Sequence, residues 1–160
     1  MRLNNRNKVG FYNFISTTIL LIFVLGCGAF FMELFKFGFL GRGTTALLII
    51  VPSIFGLIFY LRGRQIFEYD SDGEALNFKN RNVLFYEKAI SDEFPKYKLI
   101  SYEIIDALIF RKLYINVSSK KNKIITLKYD VSYLSKKELK DLKFSLSKVI
   151  KENKENKREL

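Results

Sequence analysis

The chain has 160 residues, a net charge of +11, one cysteine and no histidine. The lack of histidine removes the commonest general base and metal ligand, and a single cysteine forms no internal disulfide, so no catalytic triad or zinc site is indicated. Residues 62–160 hold 22 of the 27 basic and 15 of the 16 acidic side chains, a net charge of +7. We therefore expect an apolar N-terminal part and a basic, water-soluble part, with no cofactor, no metal and no enzymatic activity.

Two apolar runs follow a short basic segment at residues 1–12. The runs cover residues 13–32 and 44–61 and contain no charged side chain. A helix of twenty residues is about 30 Å long, which matches the hydrocarbon core of a bilayer. Residues 13–61 are thus predicted to form a transmembrane α-helical hairpin, in which the second helix tolerates Pro52.

The orientation of the hairpin is predicted from its basic flanks, because cytoplasmic flanks are enriched in lysine and arginine. The two outer flanks carry five basic residues, namely Arg2, Arg6, Lys8, Arg62 and Arg64. The connecting segment carries Lys36 and Arg42 beside Glu33. This difference favours a multi-pass protein with both termini cytoplasmic.

Cys27 allows two interpretations. Val24-Leu25-Gly26-Cys27 satisfies a loose bacterial lipobox, in which the cysteine becomes the lipidated first residue of the mature protein. The sequence after it, GAFFMELF, is apolar, whereas a mature lipoprotein usually continues with a polar tether. In the other interpretation, residues 26–29 form a stripe of small side chains that lets the two helices pack closely.

From Arg62 onward the apolar residues alternate with a period of two, which is typical of β-strands. Six strands are predicted, at residues 65–69, 75–79, 83–87, 97–104, 107–117 and 124–129, and residues 89–95 are predicted to be a loop. Gly73 can supply the positive φ of the first turn. On the last strand, the side that we expect to be buried carries Ile125, Leu127 and Tyr129. These strands predict an antiparallel meander that bends into a sandwich or open barrel.

A C-terminal amphipathic helix is predicted, and the residues at its N-terminus give the clearest signal. Ser135 as N-cap and Glu138 three residues later form a capping box, and Leu134 with Leu139 forms a hydrophobic staple. Further apolar residues recur at helical spacing up to Ile150. The soluble domain is therefore assigned to residues 62–151, and residues 152–160, which lack apolar periodicity, to a disordered tail.

This order of elements resembles the small bacterial membrane proteins that carry a pleckstrin-homology-like (PH-like) domain after two membrane helices. The likeness lies in residues 100–127, ISYEIIDALIFRKLYINVSSKKNKIITL, and in residues 135–146, SKKELKDLKFSL. They are similar to the strands and the closing helix of that family. The resemblance implies a protein of the bacterial cytoplasmic (inner) membrane. It also implies an α+β soluble domain, with an antiparallel meander or open barrel closed by the C-terminal helix.

We expect a non-enzymatic binding or scaffold module at the cytoplasmic membrane surface. Its candidate contacts to anionic lipid headgroups or a protein partner are four lysines, Lys120, Lys121, Lys123 and Lys128. Clustered ammonium groups attract anions without a rigid pocket, although a solvated polar turn is the alternative interpretation.

The sequence bears on one further partner class and on one further function. Nucleic acid is not expected, since no helix-turn-helix, zinc-finger or aromatic RNA-binding pattern accompanies the charge. An immunity or accessory subunit that acts through its membrane helices stays open as a functional alternative. No pattern in the sequence specifies an oligomeric state.

Overall fold

A computed structural model describes residues 1–35, 41–83, 88–119, 123–156 and 158, without the side chains of Arg42 and Lys123. The chain divides into two compact units. The helical hairpin contains Gly10–Leu61, and the sheet domain contains Met1–Val9 together with Arg62–Leu160. Both chain ends of the hairpin therefore continue into the same domain.

The helical hairpin consists of α1 (Val9–Leu34) and α2 (Arg42–Leu61), which confirms the two predicted helices. Both helices are long and apolar enough to cross a membrane. The apolar residues of α1 cover its whole circumference, as expected of a helix surrounded by lipid rather than packed by one face on a core.

The two helices of the hairpin approach each other closely at Gly26. A Cβ atom at this position would lie 2.5 Å from the carbonyl oxygen of Leu48. A Cβ atom at Gly56 would lie 3.7 Å from Ile19, whereas one at Gly28 would meet nothing within 4 Å. Gly26 is thus a point of close approach, as the small-residue interpretation expects, and Gly28 lies outside it.

The sheet domain contains a four-stranded antiparallel sheet in the order β1-β2-β3-β4. Its strands are β1 (Arg2–Asn4), β2 (Ile66–Asp70), β3 (Ala75–Arg81) and β4 (Ile90–Pro95). The segment predicted as a loop is therefore mostly strand β4, a correction. Only Ile90 and Phe94 are apolar there, so the alternation is hidden by the polar residues between them. Of the strand predicted at residues 83–87, Val83 lies in a bend, and the rest lies outside the described residues.

Strand β1 belongs to the sheet domain, although the sequence assigned residues 1–12 to a separate segment. Leu3 is buried in the core. The buried Asn5 side chain donates to the Gln65 carbonyl at 2.8 Å and accepts from the Phe67 N–H at 2.8 Å. Residues 2–5 precede the helical hairpin in the chain, yet they are bonded to residues that follow it. No local sequence pattern indicates this pairing.

A second antiparallel sheet has the order β5-β6-β7. Its strands are β5 (Leu99–Asp106), β6 (Arg111–Ser119) and β7 (Lys123–Asp130), and a single 3-10 turn, Lys96–Lys98, precedes it. The predicted start of β6 is wrong, because residues 107–110 form a turn. The Ala107 N–H donates to the Phe110 carbonyl at 2.9 Å, and an Asp106–Arg111 ion pair of 2.7 Å closes the base of this turn.

The two sheets share one core centred on Phe78. Its ring centroid lies 5.0 Å from that of Tyr69 in β2 and 5.0 Å from that of Tyr129 in β7. On β7, Tyr129 is fully buried and Leu127 packs partly against the core, but Ile125 is 40% exposed. The predicted buried side of this strand is therefore buried only toward its C-terminal end.

Helix α3 (Lys136–Asn156) packs on the core with one stripe, formed by Leu139, Leu142, Leu146 and Val149. The predicted capping box is present: the Ser135 N–H donates to the Glu138 carboxylate at 2.6 Å, and the Glu138 N–H donates to the Ser135 hydroxyl at 3.2 Å. The helix continues beyond the predicted end at residue 151. Asn153 holds this extension by donating to the carbonyls of Lys96 and Leu99 at 2.7 and 2.9 Å.

Helix α3 is hydrogen-bonded to both sheets. The Tyr69 hydroxyl of β2 lies 2.9 Å from the Ser145 hydroxyl, and the Tyr102 hydroxyl of β5 lies 2.9 Å from the Ser147 hydroxyl. The domain is therefore an α+β fold, two antiparallel sheets bound by a C-terminal helix, as the sequence predicts.

The sheet domain has two ends, which we name by chain connectivity. The junction end contains residues 5–9 and 62–65, where the chain passes to and from the hairpin, together with residues 107–111 and 130–135. One hydroxyl ties these segments together: Ser132 accepts from the Arg111 N–H at 2.9 Å and donates to the Arg62 carbonyl at 2.8 Å. The distal end contains residues 71–74 and 96–98 and the ends of β6 and β7 at Ser119 and Lys123.

Candidate binding surfaces

The four predicted contact lysines do not form one described cluster. Lys120 and Lys121 lie outside the described residues. Lys123 begins β7 at the distal end, where its backbone pairs with Ser119. Lys128 lies five residues further along β7, about 17 Å away at the usual strand rise. The structure thus separates Lys128 from the turn that carries the other three lysines.

Lys128 lies on the outer face of the second sheet. Its ammonium nitrogen is 5.9 Å from the ring centre of Tyr114, a cation–π geometry. On the same face, the Asn116 amide donates to the Ser101 hydroxyl at 2.9 Å, and the Thr126 hydroxyl donates to Asn116 at 2.7 Å. This face is therefore an ordered polar surface on which Lys128 contributes one positive charge.

A groove of about 570 Å³ lies at the distal end between the start of β1, the turn after β2 and helix α3. Among the residues that line it are Arg2, Ser71, Lys96, Phe144, Ser145 and Lys148. Phe144 is 73% exposed although it is aromatic. No predicted contact includes Phe144, although an aromatic side chain on the polar side of an amphipathic helix is a signal that the sequence contains. The groove combines an exposed ring with three basic side chains and two acidic ones, Asp141 and Glu152.

The acidic turn after β2 is neutralised by cations of the same domain. The Arg2 guanidinium lies 3.0 Å from the Asp70 carboxylate and 3.2 Å from that of Asp72, and the Met1 ammonium also bonds to Asp72. The Met1 ammonium, with Arg2 and Lys96 nearby, lowers the pKa of Asp72 below its ordinary value. Within the described residues, no group of three or more Asp, Glu, Cys or His side chains is placed to hold a metal ion.

Two buried tyrosines have altered acidity. Burial raises the pKa of Tyr129 far above its ordinary value. The Asp92 carboxylate accepts a hydrogen bond from the Tyr129 hydroxyl at 2.8 Å and raises this pKa further. Burial also raises the pKa of Tyr69, despite hydrogen bonds to Ser145 and Ser71. Both hydroxyls therefore stay protonated and act as hydrogen-bonding groups that connect elements of the fold.

Three arginines surround Ser132 and Asp130 at the junction end. Arg62 donates to the Ser132 carbonyl at 3.2 Å, and its guanidinium lies 4.8 Å from the ring centre of Tyr133. The Arg64 N–H donates to the Asp130 carboxylate at 3.1 Å, and Arg111 pairs with Asp106. The buried Nε atoms of Arg62 and Arg111 find no hydrogen-bond acceptor among the residues that the structure describes. Three arginines, and the carboxylates that pair with two of them, are thus gathered where the chain leaves α2.

An exposed apolar turn adjoins these arginines. We name residues 107–110 (Ala-Leu-Ile-Phe) the apolar tip; within it Leu108 is fully exposed and Ile109 is 40% exposed. The Lys112 ammonium lies 5.0 Å from the ring centre of Phe110. The sequence analysis placed these residues in a strand, although four consecutive apolar residues between Asp106 and Arg111 do not alternate. The junction end therefore presents apolar and basic groups side by side.

Comparisons with known proteins assign no family to the chain. No family model, curated protein or solved structure matches it. Function is therefore inferred from the chemistry of the junction end and of the distal end.

Proposed function

We propose that this chain is a non-enzymatic, membrane-anchored binding module. Its helical hairpin crosses the cytoplasmic membrane of a bacterium, and its sheet domain, PH-like in fold, holds an acidic protein partner at the cytoplasmic surface. Two antiparallel sheets of four and three strands, with a C-terminal helix bound to both, support the PH-like assignment.

The pairing of β1 with β2 supports the proposed topology. β1 precedes the hairpin and β2 follows it, yet Leu3 pairs with Tyr69 in one sheet. A chain that crosses the membrane twice returns to the side from which it started, so this pairing supports the proposal that both ends of the hairpin lie on one side. The basic flanks of the hairpin favour the cytoplasmic side.

The observation that carries the proposal is the distance of the basic turn from the junction end. The β6–β7 ladder runs from the pair Lys112–Asp130, next to the junction, to the pair Ser119–Lys123. Seven strand residues span about 23 Å. This exceeds the Debye length of about 8 Å at physiological salt, so Lys123 is far enough from the junction to support our proposal of a partner in the aqueous phase.

The groove beside Phe144 supports a protein as that partner. An exposed aromatic ring with Lys96 nearby, and with Lys148 at 4.0 Å from the Glu152 carboxylate, offers an apolar anchor with a charged rim, which is the usual composition of a protein interface. We therefore propose that an acidic segment with an apolar side chain binds at the distal end, with Lys120, Lys121, Lys123 and Lys128 as further contacts.

Photo-crosslinking in native membranes tests this function. A photoreactive side chain replaces Phe144 in the full-length chain, and the matched control replaces Lys137, which is exposed nearer the start of α3. We expect a discrete protein adduct from position 144 alone, which decreases several-fold when Lys120, Lys121 and Lys123 are changed to Gln and when salt is raised. Adducts to lipid only, or an adduct insensitive to the lysine changes, would contradict the proposal. Extraction of the chain from membranes by alkaline carbonate would contradict the anchor.

A further inference from the structure

We infer that the apolar tip is a second membrane contact, distinct from the helical hairpin. Residues 107–110 enter the interfacial layer of the bilayer that anchors the hairpin, and Arg62, Arg111 and Lys112 lie at the level of anionic headgroups. This inference rests on the proposed membrane crossing of the hairpin. It does not depend on the acidic partner.

The first support is the exposure of the tip. Leu108 and Ile109 extend into solvent, and Ile105, which precedes the turn, is 43% exposed. Turns between strands are normally polar, so consecutive apolar side chains without cover indicate a surface that is buried in the working state. The hydrogen bond from the Ala107 N–H to the Phe110 carbonyl and the Asp106–Arg111 ion pair close this turn at its base.

The second support is the position of the tip within the sheet domain. Arg62 is the first residue after α2, and its carbonyl accepts from the Ser132 hydroxyl. The same hydroxyl accepts from the N–H of Arg111, the first residue after the tip. Consecutive Cα atoms are about 3.8 Å apart, so a chain that leaves the membrane at Leu61 brings Arg62, and with it the base of the tip, to the membrane surface.

The third support is the charge around the tip. Arg62 and Arg111 are joined to the base of the tip through Ser132, and the Lys112 ammonium lies against the Phe110 ring. Apolar side chains flanked by cations are the composition of peptide segments that bind anionic bilayer interfaces. A bilayer is therefore favoured over a protein as the occupant, because chain connectivity already places it there.

This second contact would fix the orientation of the sheet domain. A domain joined to the hairpin by flexible chain alone could tilt freely, whereas a rigid turn inserted beside the junction restricts the tilt. The distal end would then point away from the bilayer in a defined direction. Binding surfaces at that end would be presented to the aqueous phase rather than to headgroups.

Site-directed fluorescence on the full-length protein in vesicles tests the inference. Cys27 is changed to Ala, and single cysteines replace Leu25, Leu108 or Ile124, each labelled with an environment-sensitive dye. Leu25 reports on α1, Leu108 on the apolar tip, and Ile124 is the matched control, because it is an exposed aliphatic residue at the distal end. Vesicles contain neutral lipid with or without anionic lipid, and some carry a quencher attached to the lipid chains near the headgroups.

We expect the dyes at positions 25 and 108 to emit at shorter wavelength and to be quenched by the lipid-bound quencher. The dye at position 124 should emit as in water and respond only to an aqueous quencher. Raising the anionic lipid content should increase the shift at position 108 alone. A dye at position 108 that behaves like the one at position 124, or that is shielded from both quenchers by a protein, would overturn the inference. If the dye at position 25 also emitted as in water, the membrane anchor itself would be overturned.

Discussion

The two ends of the sheet domain are held together by different kinds of interaction. At the junction end, buried polar side chains bond to backbone groups, as Asn5, Asn80 and Ser132 do. At the distal end, exposed ion pairs of Arg2 with the acidic turn stand beside part-buried hydrogen bonds such as that of Asn153 to the Lys96 carbonyl. Losing a buried hydrogen bond costs about 1–3 kcal/mol, whereas exposed pairs contribute about 0–1 kcal/mol. The difference shows that the end that receives two chain connections is fixed firmly, while the other end is left accessible.

The largest effect is expected at Gly63, which lies at the junction end of the sheet domain and, like Gly73 at the distal end, has a positive φ. Gly63 has φ of +78°, and an added Cβ would overlap the Asp130 carboxyl group, which also accepts from the Arg64 N–H. Gly63→Ala should lower the free energy of unfolding by about 3 kcal/mol or more, since steric overlap adds to backbone strain.

Gly73 at the distal end is the matched control for this change. Its φ is +76°, and an added Cβ meets nothing within 4 Å. Gly73→Ala should therefore cost only about 1 kcal/mol of backbone strain. Denaturant unfolding of the purified full-length protein in detergent, followed by tyrosine fluorescence, measures both. Equal losses at the two positions would remove the distinction between the ends.

The next effect is expected at Asn80, which is fully buried. Its amide donates to the carbonyls of Ile66 and Asp130 at 3.0 and 3.1 Å and accepts from the Asp130 N–H at 2.8 Å. Asn80→Leu should lower the free energy of unfolding by about 3 kcal/mol, because it leaves three buried backbone groups unpaired.

Asn77→Leu on the half-buried outer face of the same strand serves as control, with an expected change within about 0.5 kcal/mol. The same denaturant titration compares the two variants. A loss at Asn80 no greater than at Asn77 would show that water replaces the lost hydrogen bonds. The junction end would then be less tightly closed than the structure indicates.

A smaller effect, dependent on pH, is expected at Glu138. Burial raises the pKa of its carboxyl group, but the hydrogen bonds from Ser135 and the Lys8 ammonium at 3.2 Å outweigh burial, so the pKa lies below the ordinary 4.5. Between the folded pKa and 4.5 the unfolded chain binds more protons. The stabilisation is therefore complete above pH 4.5 and is lost as the pH falls through the folded value.

Glu138→Gln should flatten this part of the pH profile of thermal unfolding. It should lower the stability at neutral pH by about 0.5–1 kcal/mol, since the capping box and the pair with Lys8 are weakened. Asp141→Asn, on an exposed position of the same helix, is the control. A profile of Glu138→Gln that still falls below pH 4.5 as in the unsubstituted protein would exclude Glu138 as the source.

The smallest effect is expected at Arg2. Its side chain is 73% exposed, although it pairs with two carboxylates. Arg2→Gln should leave the unfolding midpoint unchanged within error at moderate salt, because exposed pairs are screened. Unfolding at low and at high salt measures this. A clear loss of stability that persists at high salt would show that the distal end depends on buried electrostatics after all.

The candidate surfaces illustrate how far sequence patterns reach. The basic turn was visible because lysines adjoin one another in the chain, but the patterns did not reveal that strand register separates Lys128 from it. The groove beside Phe144 joins residues from β1, the β2–β3 turn and α3, which are distant in sequence. The apolar tip stands in the sequence as four consecutive apolar residues. Only the hydrogen bonds of Ser132 show that it adjoins Arg62, the first residue after α2.

The sequence by itself determined the elements whose signals are local. Continuous apolar runs define α1 and α2, alternation with turn residues defines most strands, and the capping box at Ser135 defines the start of α3. Only the tertiary structure decided that Leu3 belongs to the sheet, that residues 90–95 form β4 and that Asn153 extends α3. Each of these depends on hydrogen bonds to a segment far away in the chain, and such partners leave no periodic signal in the segment itself.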